Sequence, residues 1–282
     1  MKITRLLSSA FALTLSLGIL ASAATPPPLP LNSPQGLAVD ASGNLWVVNT
    51  NANNVLKYNS AYVQQTAKTI TKGINTPVNL ALDPYGNLWV SNFFGNNITE
   101  YSAAGVQNTT GTISTALPGA LAFDGIGDLW VNSNETDVKI FGPTATYAAP
   151  SKLIRTLSLN NPPQVTVTLS AGAFVYSTIT QTFLEPASST LLGNPLNGGA
   201  FGFGAYALAP DNKGNVYVAA LDGDLYIAKP GGTAAVVVAL PAGGDHWGVA
   251  VDNARARVYV ADRAHNLILV YSTKGVLLHT IT

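Results

Sequence analysis

Residues 40–49 read DASGNLWVVN and residues 83–92 read DPYGNLWVSN, so one pattern occurs twice in the chain. In both copies an Asp precedes a turn that ends in Gly-Asn, and a Trp follows within an apolar stretch. Gly can adopt the positive φ of a tight turn, and an Asp carboxylate can accept backbone N–H bonds across it. The pattern therefore predicts a hairpin whose Asp holds the turn and whose Trp lies in the second strand.

The same Asp recurs along the chain at intervals of 41 to 43 residues, with one double interval. The double interval indicates a hidden repeat, in which Thr168 stands at the Asp position and Phe174 at the Trp position. Repeated large rings at one strand position are expected in the core between repeats. We assign the Asp residues as structural turn residues, and we expect the rings in that core: Asp40, Asp83, Asp124, Asp211 and Asp252, with Trp46, Trp89, Trp130, Tyr217 and Tyr259.

Each repeat contains four short stretches rich in Val, Thr, Tyr and Trp, separated by polar turns, which is typical of antiparallel strands. A period of about 40 to 45 residues with four strands is typical of a propeller blade. We therefore predict an all-β fold, a six-bladed β-propeller with four antiparallel strands per blade, over residues 32–282. Blade four, at about residues 160–203, departs most from the repeat.

The first 23 residues have the features of a secretory signal peptide. Lys2 and Arg5 precede an apolar run, and the small-residue triplet that ends at Ala23 suits a signal peptidase. A Pro-rich segment follows at residues 24–31. The sequence therefore predicts a signal peptide over residues 1–23 and a secreted or periplasmic protein that leaves the membrane once the leader is cleaved.

Charge and cysteine content exclude several classes of function. The chain has 14 basic and 14 acidic residues among 282, and only 10% of its residues are charged. This balance gives no electrostatic reason to bind nucleic acid. Because the sequence has no Cys, disulfides and thiolate metal sites are excluded. We expect a monomer whose partner is a polysaccharide, peptide or protein ligand.

Two longer stretches carry a family resemblance: SPQGLAVDASGNLWVVNTNANNVLKY at residues 33–58 and GVAVDNARARVYVADRAHNLILVY at residues 248–271. Both resemble NHL repeats, which form the blades of six-bladed β-propellers. The resemblance implies the fold over nearly all of residues 32–282. Related propellers include gluconolactonase-type hydrolases, peptidyl-hydroxyglycine amidating lyases and streptogramin B lyases, beside many non-catalytic binding domains. Since one fold hosts many functions, the resemblance does not choose among them.

The positions where repeats differ indicate a binding site on one face of the predicted propeller. The start of the first strand and the turn after the second strand lie on the same face, and loops of this kind carry binding residues. The first four repeats begin this strand near a Pro, whereas the last two carry large aromatic residues there. We predict ligand-binding residues from these strand starts and turns: Tyr206, His246, Trp247, Asp262, Phe93 and Phe94.

A second reading of the last repeat is catalytic. An antiparallel hairpin should bring His246 close to Asp262, and His265 follows in the adjacent turn. Two imidazoles with the carboxylates of Asp245 and Asp262 could bind one divalent metal or perform acid–base chemistry. A turn-anchoring Asp with a solvated His explains the same residues without any chemistry.

Two functional hypotheses remain open. The first, which we favour, is a secreted, non-catalytic β-propeller that serves as a ligand- or protein-binding scaffold, with no cofactor and no metal. The alternative is a metal-dependent hydrolase or lyase of the gluconolactonase or streptogramin B lyase type. In that case the site would be centred on blade six, with His246, Asp262 and His265 as the candidate catalytic residues.

Overall fold

The computed structural model describes residues 27–123, 127–133, 137–142, 153–158, 163–168, 172–177, 182–185, 190–192, 205–229 and 235–282. These residues form antiparallel sheets, each built from strands that are consecutive in the sequence. The first three sheets contain β1 (Pro34–Val39), β2 (Leu45–Asn49) and β3 (Asn54–Tyr58); β4 (Pro77–Leu82), β5 (Leu88–Asn92), β6 (Asn97–Tyr101) and β7 (Gln107–Ser114); and β8 (Leu121–Phe123), β9 (Leu129–Ser133), β10 (Asp137–Phe141) and β11 (Leu153–Ser158). The others contain β12 (Pro163–Thr168), β13 (Gly172–Ser177), β14 (Thr182–Glu185) and β15 (Thr190–Leu192); β16 (Ala205–Pro210), β17 (Val216–Ala220), β18 (Asp224–Ala228) and β19 (Val236–Ala239); and β20 (His246–Asp252), β21 (Arg257–Asp262), β22 (Leu267–Ser272) and β23 (Leu277–Ile281).

The sheets are arranged radially as the blades of a β-propeller. The innermost strand of each sheet contacts the innermost strand of the next, from β1 through β4, β8, β12 and β16 to β20. Contact between β20 and β1 closes the ring. The last sheet consists of β20–β23 alone, so closure joins whole sheets, as the phase of the repeat predicts.

The number of four-stranded blades differs from the prediction. In the described part of the chain five sheets have four strands, not six, because the sheet of β1–β3 has only three. Residues 63–70 are the fourth strand-like stretch of this repeat, but only isolated bridges join Tyr58 to Gln64 and Val55 to Ile70. Between these bridges, Thr66–Lys68 forms a 3₁₀ turn that leaves the sheet. Strands β12–β15, within the predicted degenerate blade, form a full four-stranded sheet.

The segment at residues 63–70 contacts the N-terminal residues through the amide side chain of Gln64. It exchanges hydrogen bonds with the backbone N–H and C=O of Leu29, at 2.7 and 2.8 Å. Leu31 is then buried between the first and last sheets, in a cluster with Ile281. The segment therefore anchors the described N-terminal residues 27–32, which form no strand. The predicted signal peptide lies outside the described residues.

The repeated rings fill the space between sheets, as the sequence predicts. Trp46 packs in a cluster with Leu80 and Val90 of the next sheet, and Tyr259 packs with Val47 of the first sheet. Trp46, Trp89, Trp130, Tyr217 and Tyr259 are all buried. The side chain of Phe174 lies outside the described set. Trp46, Trp89, Tyr217 and Tyr259 each pack in a cluster that joins two sheets, so these blades are parts of one packed unit.

The turn Asp carboxylates accept hydrogen bonds from the turns that they begin. Asp83 Oδ1 accepts the backbone N–H groups of Tyr85 and Asn87, at 2.9 and 2.8 Å. Its Oδ2 accepts the Asn87 amide at 2.8 Å and the Trp89 indole N–H at 3.3 Å. Asp40 and Asp211 bind their turns in the same way, and Asp252 instead binds Arg255. Asp124 lies outside the described residues.

We expect Asp83→Ala to destabilise the fold, because four donors would lose their buried acceptor. The cost should be about 1–3 kcal/mol in the free energy of unfolding, which urea titration measures. Asp83→Asn keeps one acceptor oxygen and should lose less. An unchanged free energy of unfolding in Asp83→Ala would contradict the structural role.

Candidate functional site

Two β-bulges place aromatic residues at one mouth of the propeller. In β20 the pairing with β21 shifts between His246 and Gly248, and in β16 the pairing with β17 shifts between Ala205 and Ala207. The extra residues are Trp247 and Tyr206. A bulge re-aims the side chain of its extra residue away from the regular alternation. The two rings stack across neighbouring sheets, with centroids 4.9 Å apart and an interplanar angle of 23°.

Charged groups hold this stack in place. The guanidinium of Arg263 lies over the Trp247 ring, 4.2 Å from its centroid. Arg263 Nε donates to Asp245 Oδ2 at 2.8 Å, and the Trp247 indole N–H donates to Asp245 Oδ1 at 2.5 Å. Burial raises the pKa of the Tyr206 hydroxyl, and the Asp245 charge adds to this effect. We call Tyr206, Trp247 and Arg263 the aromatic stack; Asp245 fixes the orientation of two of its members.

Beneath the stack lies a buried acidic centre. Asp262 is fully buried, and its Oδ1 accepts the backbone N–H groups of Asp245 at 3.3 Å and His265 at 3.1 Å. Its Oδ2 lies 2.7 Å from His265 Nδ1. Burial acts to raise the pKa of Asp262, but the bonds from His265 and Asp245 outweigh it and lower the pKa. The carboxylate therefore stays ionised and orients the His265 ring.

His246 pairs with Asp262 across the hairpin, as the antiparallel register predicts. Its ring is buried, its Nε2 lies 3.5 Å from Asp262 Oδ2, and neither ring nitrogen has a hydrogen-bond partner among the described residues. Burial lowers the pKa of His246 despite the carboxylates nearby. Gly244 makes room for the ring, because a Cβ at that position would lie 2.4 Å from it. His246 is therefore a neutral packing group behind Asp262.

The predicted site residues fall into two groups. The structure brings Tyr206, His246, Trp247 and Asp262 together at the last two sheets. Phe93 and Phe94 contact each other edge to face, with centroids 5.1 Å apart, in the turn after β5. Because β1 contacts both β4 and β20, the sheet of β1–β3 lies between the two groups. Phe93 and Phe94 therefore lie apart from the other four residues, and their role in ligand binding stays a prediction.

The structure adds two residues to the site that the sequence reading did not include. Arg263 and Gly244 were missed because neither departs from the residues expected in a polar turn. The one feature of the sequence that could have indicated them is their position, since each lies close in sequence to Asp262 or His246.

The residues proposed for a metal do not form a ligand cage. In the described part of the chain, no group of three or more His, Cys, Asp and Glu side chains could hold a metal ion. Asp262 instead directs its Oδ2 to His265. The arrangement holds the half-exposed imidazole of His265 beside the ionised carboxylate of Asp262, and such a pair can transfer a proton.

The central channel offers a different environment. It has a volume of about 290 Å³ and is lined by the innermost strands. Gly248 sits where a Cβ would lie 1.9 Å from the Gln35 carbonyl oxygen, so β20 and β1 approach closely. The described residues that line the channel are Gly36–Val39, Asn79–Ala81, Ala120–Phe123, Ala207–Pro210 and Gly248–Val251. None of them has a titratable side chain, so the mouth, and not the channel, is the candidate site.

The neutral His246 predicts a pH dependence of stability. The unfolded chain binds a proton near the ordinary pKa of 6.5, whereas the folded state binds it only at lower pH. The unfolded state therefore holds more protons below about pH 6.5, so stability should fall as the pH falls through that window. Unfolding free energies from pH 7.5 to pH 5 measure this slope.

The matched variants separate His246 from the other histidines. His246→Asn should flatten the slope, and His279→Asn, in the outer strand β23, should leave it unchanged. An equal slope in the wild-type protein and in His246→Asn would contradict a neutral buried imidazole.

Sequence and structure comparisons are consistent with this geometry. The family model for the NHL repeat matches residues 31–58. No curated protein matches the chain in sequence. Solved structures that are similar include a streptogramin B lyase (TM-score 0.60, 13% identity, 92% of this chain and 85% of that chain). Virginiamycin B lyase from Staphylococcus aureus is also similar (TM-score 0.61, 14% identity, 89% and 86%). So is its catalytically inactive variant with Quinupristin (TM-score 0.60, 13% identity, 88% and 84%).

At these identities the similarity to the lyases concerns the fold alone. The predicted resemblance to NHL repeats is confirmed for the stretch that the family model matches. The ring of sheets shows the fold, because consecutive antiparallel sheets close on themselves around a channel. The chain is therefore a β-propeller that carries an NHL repeat at residues 31–58.

Proposed function

We propose that the protein is a non-catalytic binding module whose ligand docks on the aromatic stack of Tyr206, Trp247 and Arg263. The observation that carries this proposal is the stack itself, which spans two sheets and remains half-exposed. Asp245 holds Trp247 and Arg263 in place before any ligand arrives. A pre-ordered aromatic surface loses little conformational entropy on binding, and Trp, Tyr and Arg are the residues that dominate binding energy.

The ligand class follows from the chemistry of this surface. The stack offers flat apolar rings with one paired cation beside them, so it has no strong net charge. Such a surface suits the apolar face of a sugar ring in a polysaccharide, or an apolar side chain of a peptide or protein ligand. We further propose that the protein is exported and acts as a monomer; the leader-like residues 1–23 support the export.

Trp247→Ala should weaken ligand binding by about 2 kcal/mol or more, since it removes the central ring of the stack. Glycan and peptide arrays identify the strongest binder, and calorimetric titration of that compound gives the affinity of each variant. Phe94→Ala is the matched control, because it removes an exposed ring from another sheet. Binding lost in Phe94→Ala but kept in Trp247→Ala would move the site to the sheet of β4–β7.

A second candidate function rests on the pair formed by Asp262 and His265. A buried, ionised carboxylate that binds Nδ1 leaves Nε2 of a half-exposed imidazole to accept or release a proton. This is the arrangement of a general base, and the fold is also that of streptogramin B lyases. The catalytic alternative is therefore a lyase or hydrolase in which His265 transfers the proton and Asp262 positions it.

Incubation with quinupristin tests this alternative, because that compound is bound in a similar lyase structure. A lyase should consume it, as chromatography would show, and His265→Ala should lower the rate by about 10²–10⁴-fold. His279→Ala should retain the full rate. No consumption by the wild-type protein would reject this substrate class, and metal analysis of untagged protein would separately test the metal-dependent form.

A further inference from the structure

A buried carboxylate on the opposite face of the propeller has no cation partner. Glu100 lies in β6 and is 2% exposed. Its Oε2 accepts the Asn108 amide at 2.7 Å, and no ion pair of the described residues includes it. Burial raises the pKa of Glu100, and the charge of Asp83 adds to that effect. A charged group buried in this way is costly unless a partner compensates it.

The repeat shows what normally stands at this position. Glu100 pairs with Trp89 in register, just as Lys57 pairs with Trp46 in the first sheet. Lys57 Nζ lies 3.1 Å from the turn residue Asp40 and 4.2 Å from the Trp46 ring centroid. The equivalent positions in three other sheets are apolar: Ile140, Ile227 and Val270. Among the sheets whose side chains are described, only that of β4–β7 has an acidic residue both at the turn, Asp83, and opposite the ring, Glu100.

Strand β7 opens the sheet over Glu100. Between two paired positions, β6 advances two residues from Ile98 to Glu100, while β7 covers five from Asn108 to Ile113. Bulges of this kind are common beside functional sites. Gly111 sits where a Cβ would lie 1.9 Å from Glu100 Oε2, so a side chain at this position would displace the carboxylate.

The bulge borders a groove of about 490 Å³ that Glu100 lines together with Asn87, Ser102, Asn108 and Thr110. Asn87 is 9% exposed, and its amide nitrogen is used by Asp83. In the described structure, neither Glu100 Oε1 nor Asn87 Oδ1 accepts a hydrogen bond. Two buried side chains therefore present unused acceptors to the groove, one of them charged.

We propose that this groove binds the primary ammonium group of a small amine, with Glu100 as the anionic partner and Asn87 as a second acceptor. An ammonium ion has three donors and a single positive charge. It would stand beside the sheet of β4–β7 much as the Lys57 ammonium stands within the first sheet. Hydroxyl groups of Ser102 and Thr110 border the groove and suit a polar body on the amine, such as an amino sugar.

The probe for this site is n-butylammonium chloride, with 1-butanol as the uncharged match of the same shape. Backbone amide spectra of ¹⁵N-labelled full chain should show saturable shifts at Asn87, Glu100 and Asn108 with the amine only. Glu100→Gln keeps the shape of the side chain and removes the charge. It should weaken amine binding by about tenfold or more, because hydrogen bonds to charged groups are worth about 1.5–3 kcal/mol.

Two further variants keep the test decisive. Glu100→Lys places a covalent ammonium at the position of Lys57, so it should fold and lose the response to the amine. Asp222→Asn removes an acid from a turn of another sheet and should leave the response unchanged. The proposal is overturned if Glu100→Gln binds as tightly as wild type, if butanol gives the same shifts, or if the amine gives none.

Discussion

The whole structure depends on one packing interaction, the burial of an aromatic ring from the second strand of a sheet against the next sheet. Trp46, Trp89, Tyr217 and Tyr259 are almost completely buried in this way. A single sheet of four short strands cannot bury both of its faces, so each is stable only between neighbours. Because β20 also contacts β1, the chain of packing contacts between the innermost strands closes into a ring.

The turn Asp residues support that packing from one face. Each carboxylate fixes the hairpin that leads into the strand with the ring, and in two sheets it also binds the ring residue itself. Asp83 accepts the Trp89 indole N–H, and Asp211 lies 3.3 Å from the Tyr217 hydroxyl. Desolvation and the Asp211 charge raise the pKa of that hydroxyl to about 12. The repeated residues therefore stabilise the fold, and functional residues are expected at positions where the repeats differ.

Departures from the repeat occur on both faces. At the mouth the same bulge recurs in β1, β4, β16 and β20, so the departure lies in the residue that the bulge carries. That residue is Tyr206 in β16 and Trp247 in β20, and Asp245 fixes the surface that they form. On the other face, a larger bulge in β7 lies over the buried Glu100 and borders a groove.

Local pattern was sufficient for much of the fold. Residue spacing within a repeat predicts the turn Asp, the buried ring and the closeness of His246 to Asp262, because each belongs to one hairpin. The spacing between repeats predicts the period. The same reasoning failed for residues 63–70, whose apolar and polar residues fit a fourth strand. There the Gln64 side chain bonds to the Leu29 backbone, a contact across 35 residues that no local pattern contains, and Thr66–Lys68 turns out of the sheet.

The sequence by itself determined the propeller class and the residues that hold its turns and core, because these depend on hydrophobic alternation and turn chemistry within each repeat. Only the tertiary structure decided which departures belong together. It joined Tyr206 to Trp247 and separated both from Phe93 and Phe94, and it buried Glu100 beside Asp83 without a cation. Contacts of this kind depend on how one sheet lies against the next and on where a strand bulges, and neither is recorded in the spacing of residues along the chain.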